Sequence, residues 1–198
     1  YTNEYRTNLR MLNNFYGVYD VGNDRSNPLR LSTDNQYNHN VRLGAMLNLT
    51  LLSASGRNKY QFKNIFNQIG NSRYTWREGT SAQSEPEKSA EYYYRSRTTY
   101  TGQITGKHSI SGDALDWSVG YAYANRRLPD RRRYLTDDAL ESGKFALTTG
   151  NDISREWTKL NEHIISANVN NVYDMKLGSW VPKLHTGLYG EYRSRNYT

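Results

Sequence analysis

The densest group of chemically capable side chains is the run Arg126, Arg127, Asp130, Arg131, Arg132 and Arg133. A guanidinium offers two parallel N–H donors to a carboxylate or phosphate, so Arg126, Arg127, Arg131 and Arg132 are candidate contacts for an anionic ligand or a lipopolysaccharide phosphate. The same run also reads as a solvated loop base held by pairing of Asp130 with its neighbours, and this simpler reading is the one we favour. Pro129 sets a bend beside it. Trp76 and Trp157 are candidates either to reach a ligand near the rim or to anchor that rim.

Other reactive types are scattered. His39, His108, His163 and His185 have no spacing that puts two on one tight turn, so we expect no metal or haem site from them. Asp113 and Asp116 fall in a compact turn, where Asp caps backbone amides, and no acid faces a base in a pattern that suggests hydrolysis. No Gly-rich phosphate loop is present, and with no cysteine there is neither a thiol nucleophile nor a disulfide framework. The expectation is a non-enzyme with no cofactor.

The 198 residues carry 26 basic and 19 acidic groups, a net charge of +7, and only 36% are hydrophobic. Eighteen tyrosines rule out a disordered tail. No stretch approaches the roughly 20 apolar residues of a spanning helix. Basic charge with many aromatics suits a single-strand nucleic-acid groove, but here rings lie within strands and arginines gather in loops, so no nucleic-acid partner is expected. The chain starts at Tyr1 with no charged and apolar leader pattern, and reads as a mature or internal fragment.

The elements that must position these residues are strands. A short helix is predicted around Arg6 to Phe15, and period-two alternation dominates elsewhere. Val41 to Leu51 alternates Leu43, Leu47 and Leu49 with Arg42 and Asn48. Further runs follow from Lys59 to about Glu78, Tyr92 to Ile110, Trp117 to Arg126, Trp157 to Tyr173 and Leu184 to Tyr197, about six strands in all. Connections alternate in length: Ser53 to Asn58 and Ser111 to Asp116 are compact, Gly79 to Glu91 and Arg127 to Glu156 are long and polar, and Asp174 to Lys183 is compact again.

This alternation puts compact turns at one end of an antiparallel meander and long loops at the other, as in a transmembrane β-barrel. Tyr60, Trp117 and Tyr173 flank the compact turns, where interfacial rings belong, and Tyr92, Tyr93 and Tyr94 suit the opposite girdle better than a ligand surface. The lipid face is assigned to Leu43, Leu47, Leu49, Phe62, Ile104, Val119, Tyr121 and Val169, and the lumen to Arg42, Asn48, Gln61, Lys63, Gln103, Lys107 and Asn168. A soluble β-sandwich shares the alternation, but its strands rarely exceed about 10 residues.

The block Lys59 to Gly70 (KYQFKNIFNQIG) with Tyr74 to Gly79 (YTWREG) resembles a barrel strand of TonB-dependent outer-membrane receptors of the Bacteroidota type. Tyr94–Arg95 through Tyr100 to His108 (YTGQITGKH), Leu115 to Trp117, and Gly120 to Arg126 (GYAYANR) ending in Pro129 to Arg132 (PDRR) resemble the following hairpin. The matched blocks cover about residues 37 to 134, with Leu184 to Tyr197 a looser fit. The resemblance implies a barrel of about 22 strands, of which residues 1–198 would be a partial barrel domain without a plug or a coupling box. It also implies a location in a Gram-negative outer membrane and energised import of an extracellular ligand of the siderophore, haem, peptide or glycan class. The implied partners are the inner-membrane protein TonB, the ligand, the bilayer and lipopolysaccharide. A surface lipoprotein that caps the barrel is left open. The alternatives are a barrel with a structural or assembly role and a soluble β-rich binding module.

Overall fold

The computed structural model describes residues 1–80, 85–110, 113–138, 143–147, 153–175 and 177–198. The chain is all-β. Its strands are β1 (Thr2–Leu12), β2 (Phe15–Asp20), β3 (Arg25–Leu52), β4 (Asn58–Thr80), β5 (Pro86–Ile110), β6 (Asp113–Asp137), β7 (Ile153–Asp174) and β8 (Lys183–Tyr197). They form one antiparallel sheet in the order β1-β3-β4-β5-β6-β7-β8, with β2 also paired to β3. The sheet is not closed, because β1 and β8 are not neighbours.

Three sequence expectations are corrected. The helix expected around Arg6 to Phe15 is strand, with β1 registered on β3 from Thr2↔Arg42 to Leu12↔Thr33. Ladder pairing with a distant segment overrides the local period, and an irregularity between Arg6 and Leu9, where Asn8 has φ 58°, accounts for the imperfect alternation. The long loops are also shorter than expected, since β4 extends to Thr80, β5 starts at Pro86, β6 runs to Asp137 and β7 starts at Ile153. Their charged residues do not end the strands because they pair across the sheet. Among the described residues eight strands stand where about six were expected. The centre of the Gly79–Glu91 connection, part of Arg127–Glu156, Ser111–Gly112 of the second compact turn and Lys176 of the third lie outside the described residues.

The compact turns have specific chemistry. In Ser53–Asn58, the Ser53 amide donates to the Asn58 carbonyl at 2.9 Å and the Asn58 amide to Ser53 Oγ at 3.1 Å. Gly56 occupies the left-handed region at φ 69°, which a side chain would strain. The β7–β8 connection closes with the Met175 amide on the Pro182 carbonyl at 2.9 Å. Between β1 and β2, the Asn13 amide donates to the Ser32 carbonyl and Asn14 Oδ1 accepts from the Ser32 amide, so two strands share one partner across a two-residue break.

The chain divides into two compact units. The first comprises 1–42, 69–96 and 127–159, the second 43–68, 97–126 and 160–198. Among the described residues of the whole chain, the buried apolar side chains are Ala90 and Leu128. The described residues of neither unit therefore include a packed core of interdigitating large side chains.

In the second unit, contacts fix which positions share a face. His108 meets Tyr60 and Trp117, Tyr100 meets Tyr121, and His163 meets Tyr121 and Tyr123. Leu49, Leu51, Tyr60, Phe62 and Ile104 line one shallow apolar recess on that face. Alternation adds Leu43, Leu47, Val119, Ile165 and Val169, and the β7–β8 register adds Leu184, Leu188 and Tyr192 opposite Tyr173, Val169 and Ile165. These side chains are exposed, Leu49 at 56% and Leu188 at 77%. The reverse face is more polar, with Ser118 donating to Asn168, Gly44 against Asn67, Gly120 against Ser166 and Gly187 against Asn170, and it also carries the exposed Met46, Ile65 and Tyr189.

Candidate functional site

The first unit gathers the charge. On one face of β3, β4 and β5, residues two or four apart bring Arg30 and Asp34, Arg73 and Arg77, and Glu87 and Glu91 into register. Arg77 forks onto Asp34, with Nε to Oδ1 at 2.6 Å and Nη2 to Oδ2 at 2.8 Å. Arg30 Nη2 donates to both Glu87 oxygens at 2.8 and 2.7 Å. Glu91 accepts from Arg73 at 2.9 Å and from Arg131 Nε at 2.7 Å, while Arg131 reaches Glu156 at 3.3 Å. Arg73 and Arg131 also lie over the Tyr93 ring, 4.9 and 5.7 Å from its centroid. Arg30, Thr75, Arg77, Glu87, Glu91 and Arg133 line one open concavity.

Burial strengthens these pairs. Asp34 and Glu87 are almost fully enclosed. The Arg77 fork, assisted by Asn13, holds the Asp34 carboxyl below the usual range despite the opposing effect of burial. For Glu91 burial pulls upward, but Arg131 and Arg73 together outweigh it and the carboxyl ends low. The approach of the strands is set by Gly79, where a Cβ would lie 2.1 Å from the Leu31 carbonyl oxygen and 2.6 Å from Ser32 Cα. Only glycine admits β3 that closely.

On the opposite face of the same unit, Tyr37 and Tyr74 lie 6.0 Å apart and Tyr74 and Tyr92 4.8 Å apart. Tyr92 and Tyr134 border a second recess, so one tyrosine from each of β3, β4, β5 and β6 forms a row. Asp130 lies on this face, with Arg155 Nε at 2.7 Å and Arg132 Nε at 2.8 Å. Those two guanidinium groups, Arg155 first, hold the Asp130 carboxyl far below its ordinary range. Arg155 in turn covers the Trp157 ring at 4.8 Å.

Strand alternation thus splits the arginine run. Arg131 belongs to the ion-pair face and Arg132 to the tyrosine face. Arg126 and Arg127 are exposed and form no ion pair among the described residues. The local pairing of Asp130 favoured from sequence is present, extended by Arg155 from the next strand. Trp76, two residues from Tyr74, lies on the tyrosine face and away from Arg131. Tyr92, Tyr93 and Tyr94 do not form one surface. Tyr93 packs under Arg73 and Arg131, while Tyr92 and the exposed Tyr94 face the other way. Three consecutive strand residues cannot share a face. Tyr60 and Trp117 meet through His108 beside the compact turns, and Tyr173 stands two residues before the β7–β8 connection.

The four histidines are dispersed: His39 stacks on Tyr5 at 3.9 Å, His108 binds Trp117 and Asn58, His163 lies between Tyr121 and Tyr123, and His185 pairs with Val172. No cluster of three or more potential ligands occurs among the described residues. The Arg30, Asp34, Arg77, Glu87 and Glu91 network is absent from the sequence expectations. Its signal is the four-residue spacing of Arg73 and Arg77 and of Glu87 and Glu91, opposite charges repeating on one face of consecutive strands.

A scan against protein-family models finds no match, and a search of curated proteins finds none either.

Proposed function

We propose that this chain forms barrel strands of an outer-membrane TonB-dependent receptor that imports an extracellular ligand without chemically transforming it. One observation carries the membrane part of this reading: the second unit exposes a continuous face of Leu43, Leu47, Leu49, Phe62, Ile104, Val119, Val169 and Leu188, with a more polar face behind it and no large apolar side chain buried among its described residues. In water such a face is unfavourable by roughly 25 cal/mol per Å² of apolar area, whereas hydrocarbon accommodates it. A soluble sandwich would instead bury one face of its sheet. No helix among the described residues is long and apolar enough to cross a membrane.

The first unit is too densely charged for hydrocarbon, and rings such as those of its tyrosine row are favoured at headgroup depth. Transport, TonB coupling and cargo rest on the resemblance of the Lys59–Gly70 and Gly120–Arg126 blocks. Single cysteines at Leu49 and Asn48 of the otherwise cysteine-free chain test the membrane part. In outer-membrane vesicles, a probe at 49 is quenched by spin-labelled lipid and shielded from water-soluble maleimide, while a probe at 48 shows the reverse. Equal labelling at both positions would overturn it. Ligand uptake that survives loss of TonB would overturn energised import, and absence of uptake in cells with TonB would leave a barrel of structural role.

A further inference from the structure

The tyrosine face of the first unit holds a recess of about 460 Å³ bordered by Tyr92, Tyr134, Leu147 and Ile153, with Arg132 and Arg155 at its rim. Its size falls within the range of about 300–1,000 Å³ typical of small-molecule sites. The two rim arginines share one carboxylate, that of Asp130, and remain 58% and 52% exposed. One negative charge therefore faces two positive ones through their Nε and Nη2 groups, leaving each arginine an Nη1 group that no described residue accepts from, at the rim of an apolar hollow. A purely apolar ligand would leave those donors unused, and a free anion would leave the hollow unfilled.

We propose that this recess binds a phosphorylated acyl lipid, with one chain packed against Leu147, Ile153 and the two tyrosine rings and the phosphate bridging Arg132 and Arg155. The row Tyr37, Tyr74, Tyr92 and Tyr134 favours a lipid over an acidic protein segment, because amphipathic rings in line across four strands suit the headgroup boundary. A planar guanidinium pair recognises phosphate through charge-assisted hydrogen bonds. Asp130 acts as an internal competitor that keeps both arginines oriented while the site is empty. The inference rests on the membrane reading for the source of the lipid.

The test uses the full chain in zwitterionic detergent and titration calorimetry with four probes: dihexanoyl phosphatidic acid, dihexanoyl phosphatidylcholine, inorganic phosphate and a hexaglutamate peptide. Phosphatidic acid is expected to bind saturably and the other three about tenfold more weakly or worse, as the loss of charge-assisted hydrogen bonds or of the apolar contact implies. The double variant Arg132→Ala/Arg155→Ala weakens phosphatidic acid about tenfold or more. Asp130→Asn tightens it by removing the competitor, a gain that misfolding would not produce. Equal binding of phosphate or hexaglutamate, an unaffected double variant, or weaker binding by Asp130→Asn would each overturn the proposal. Fractionation of the cell is read separately. A chain recovered in detergent-free solution sinks the membrane reading, whereas a membrane-bound chain without phosphatidic acid binding sinks the lipid site alone.

Discussion

The indole Nε1–H of Trp117 donates to His108 Nε2 at 2.9 Å, and the other ring nitrogen, Nδ1, lies 2.8 Å from Asn58 Oδ1. An indole can only donate, so Nε2 must accept and Nδ1 must carry the proton, which makes His108 a neutral ring in a defined tautomer. Tyr60 completes the group edge-on at 5.3 Å. Trp117→Phe removes the donor, and the expected loss is about 1 kcal/mol, read from the urea midpoint in detergent. Trp117→Phe in a His108→Phe background should cost less than in the native chain, because the orphaned acceptor is gone.

The Asp34–Arg77 fork predicts coupling between strands. Arg77→Ala leaves a nearly buried carboxylate with Asn13 as its remaining hydrogen-bond donor among the described residues and Arg30 as the nearby charge, and a loss of about 1–3 kcal/mol is expected. In a double-mutant cycle with Asp34→Asn, the two losses should sum to more than the loss in the double variant.

The pH dependence has a definite sign. Asp34 and Glu91 have folded values depressed below 3.8 and 4.5. Their contribution is present above those ordinary values and disappears as pH falls through the lower folded ones, because the unfolded chain then takes up protons first. Unfolding measured from pH 6 downward should show stability declining below about pH 4.5. Arg77→Ala should flatten that decline.

Glycine substitutions separate backbone from side-chain clashes. Gly79→Ala meets the Leu31 carbonyl and Ser32 Cα and is expected to lose about 1–3 kcal/mol or to shift the β3–β4 pairing. Gly44→Ala meets the end of the Asn67 side chain at 3.3 Å, and Gly190→Ala meets nothing within 4 Å, so both should be nearly neutral by thermal unfolding.

The proposed lipid face predicts asymmetric tolerance to charge. Leu49→Arg is expected to cost about 2–4 kcal/mol at the bilayer midplane, measured by reversible folding into short-chain lipid vesicles, while Asn48→Arg should cost far less.

The strands legible in the sequence were those with one apolar face. The six runs from Val41 onward correspond to the later part of β3 and to β4 through β8. β1, β2 and the first half of β3 were not legible, because Arg25–Asn40 satisfies its polar side chains through partners that are distant in sequence, Glu87 for Arg30 and Arg77 for Asp34. Alternation shows that Arg73 and Arg77 share a face but not which carboxylates oppose them. That depends on the register between strands, which period-two patterning leaves unspecified. The tyrosine triplet failed for a simpler reason, since adjacency in sequence is opposition in a strand.

The unclosed sheet has a practical corollary. β1 and β8 each present a ladder of amide and carbonyl groups that no neighbour in the sheet uses, and β8 is exposed along its entire length. Such rims template the addition of any extended segment they meet. Without detergent or lipid, each rim is therefore open to edge-to-edge pairing with another copy, and a short synthetic strand that seals it would serve as a handle for controlled assembly.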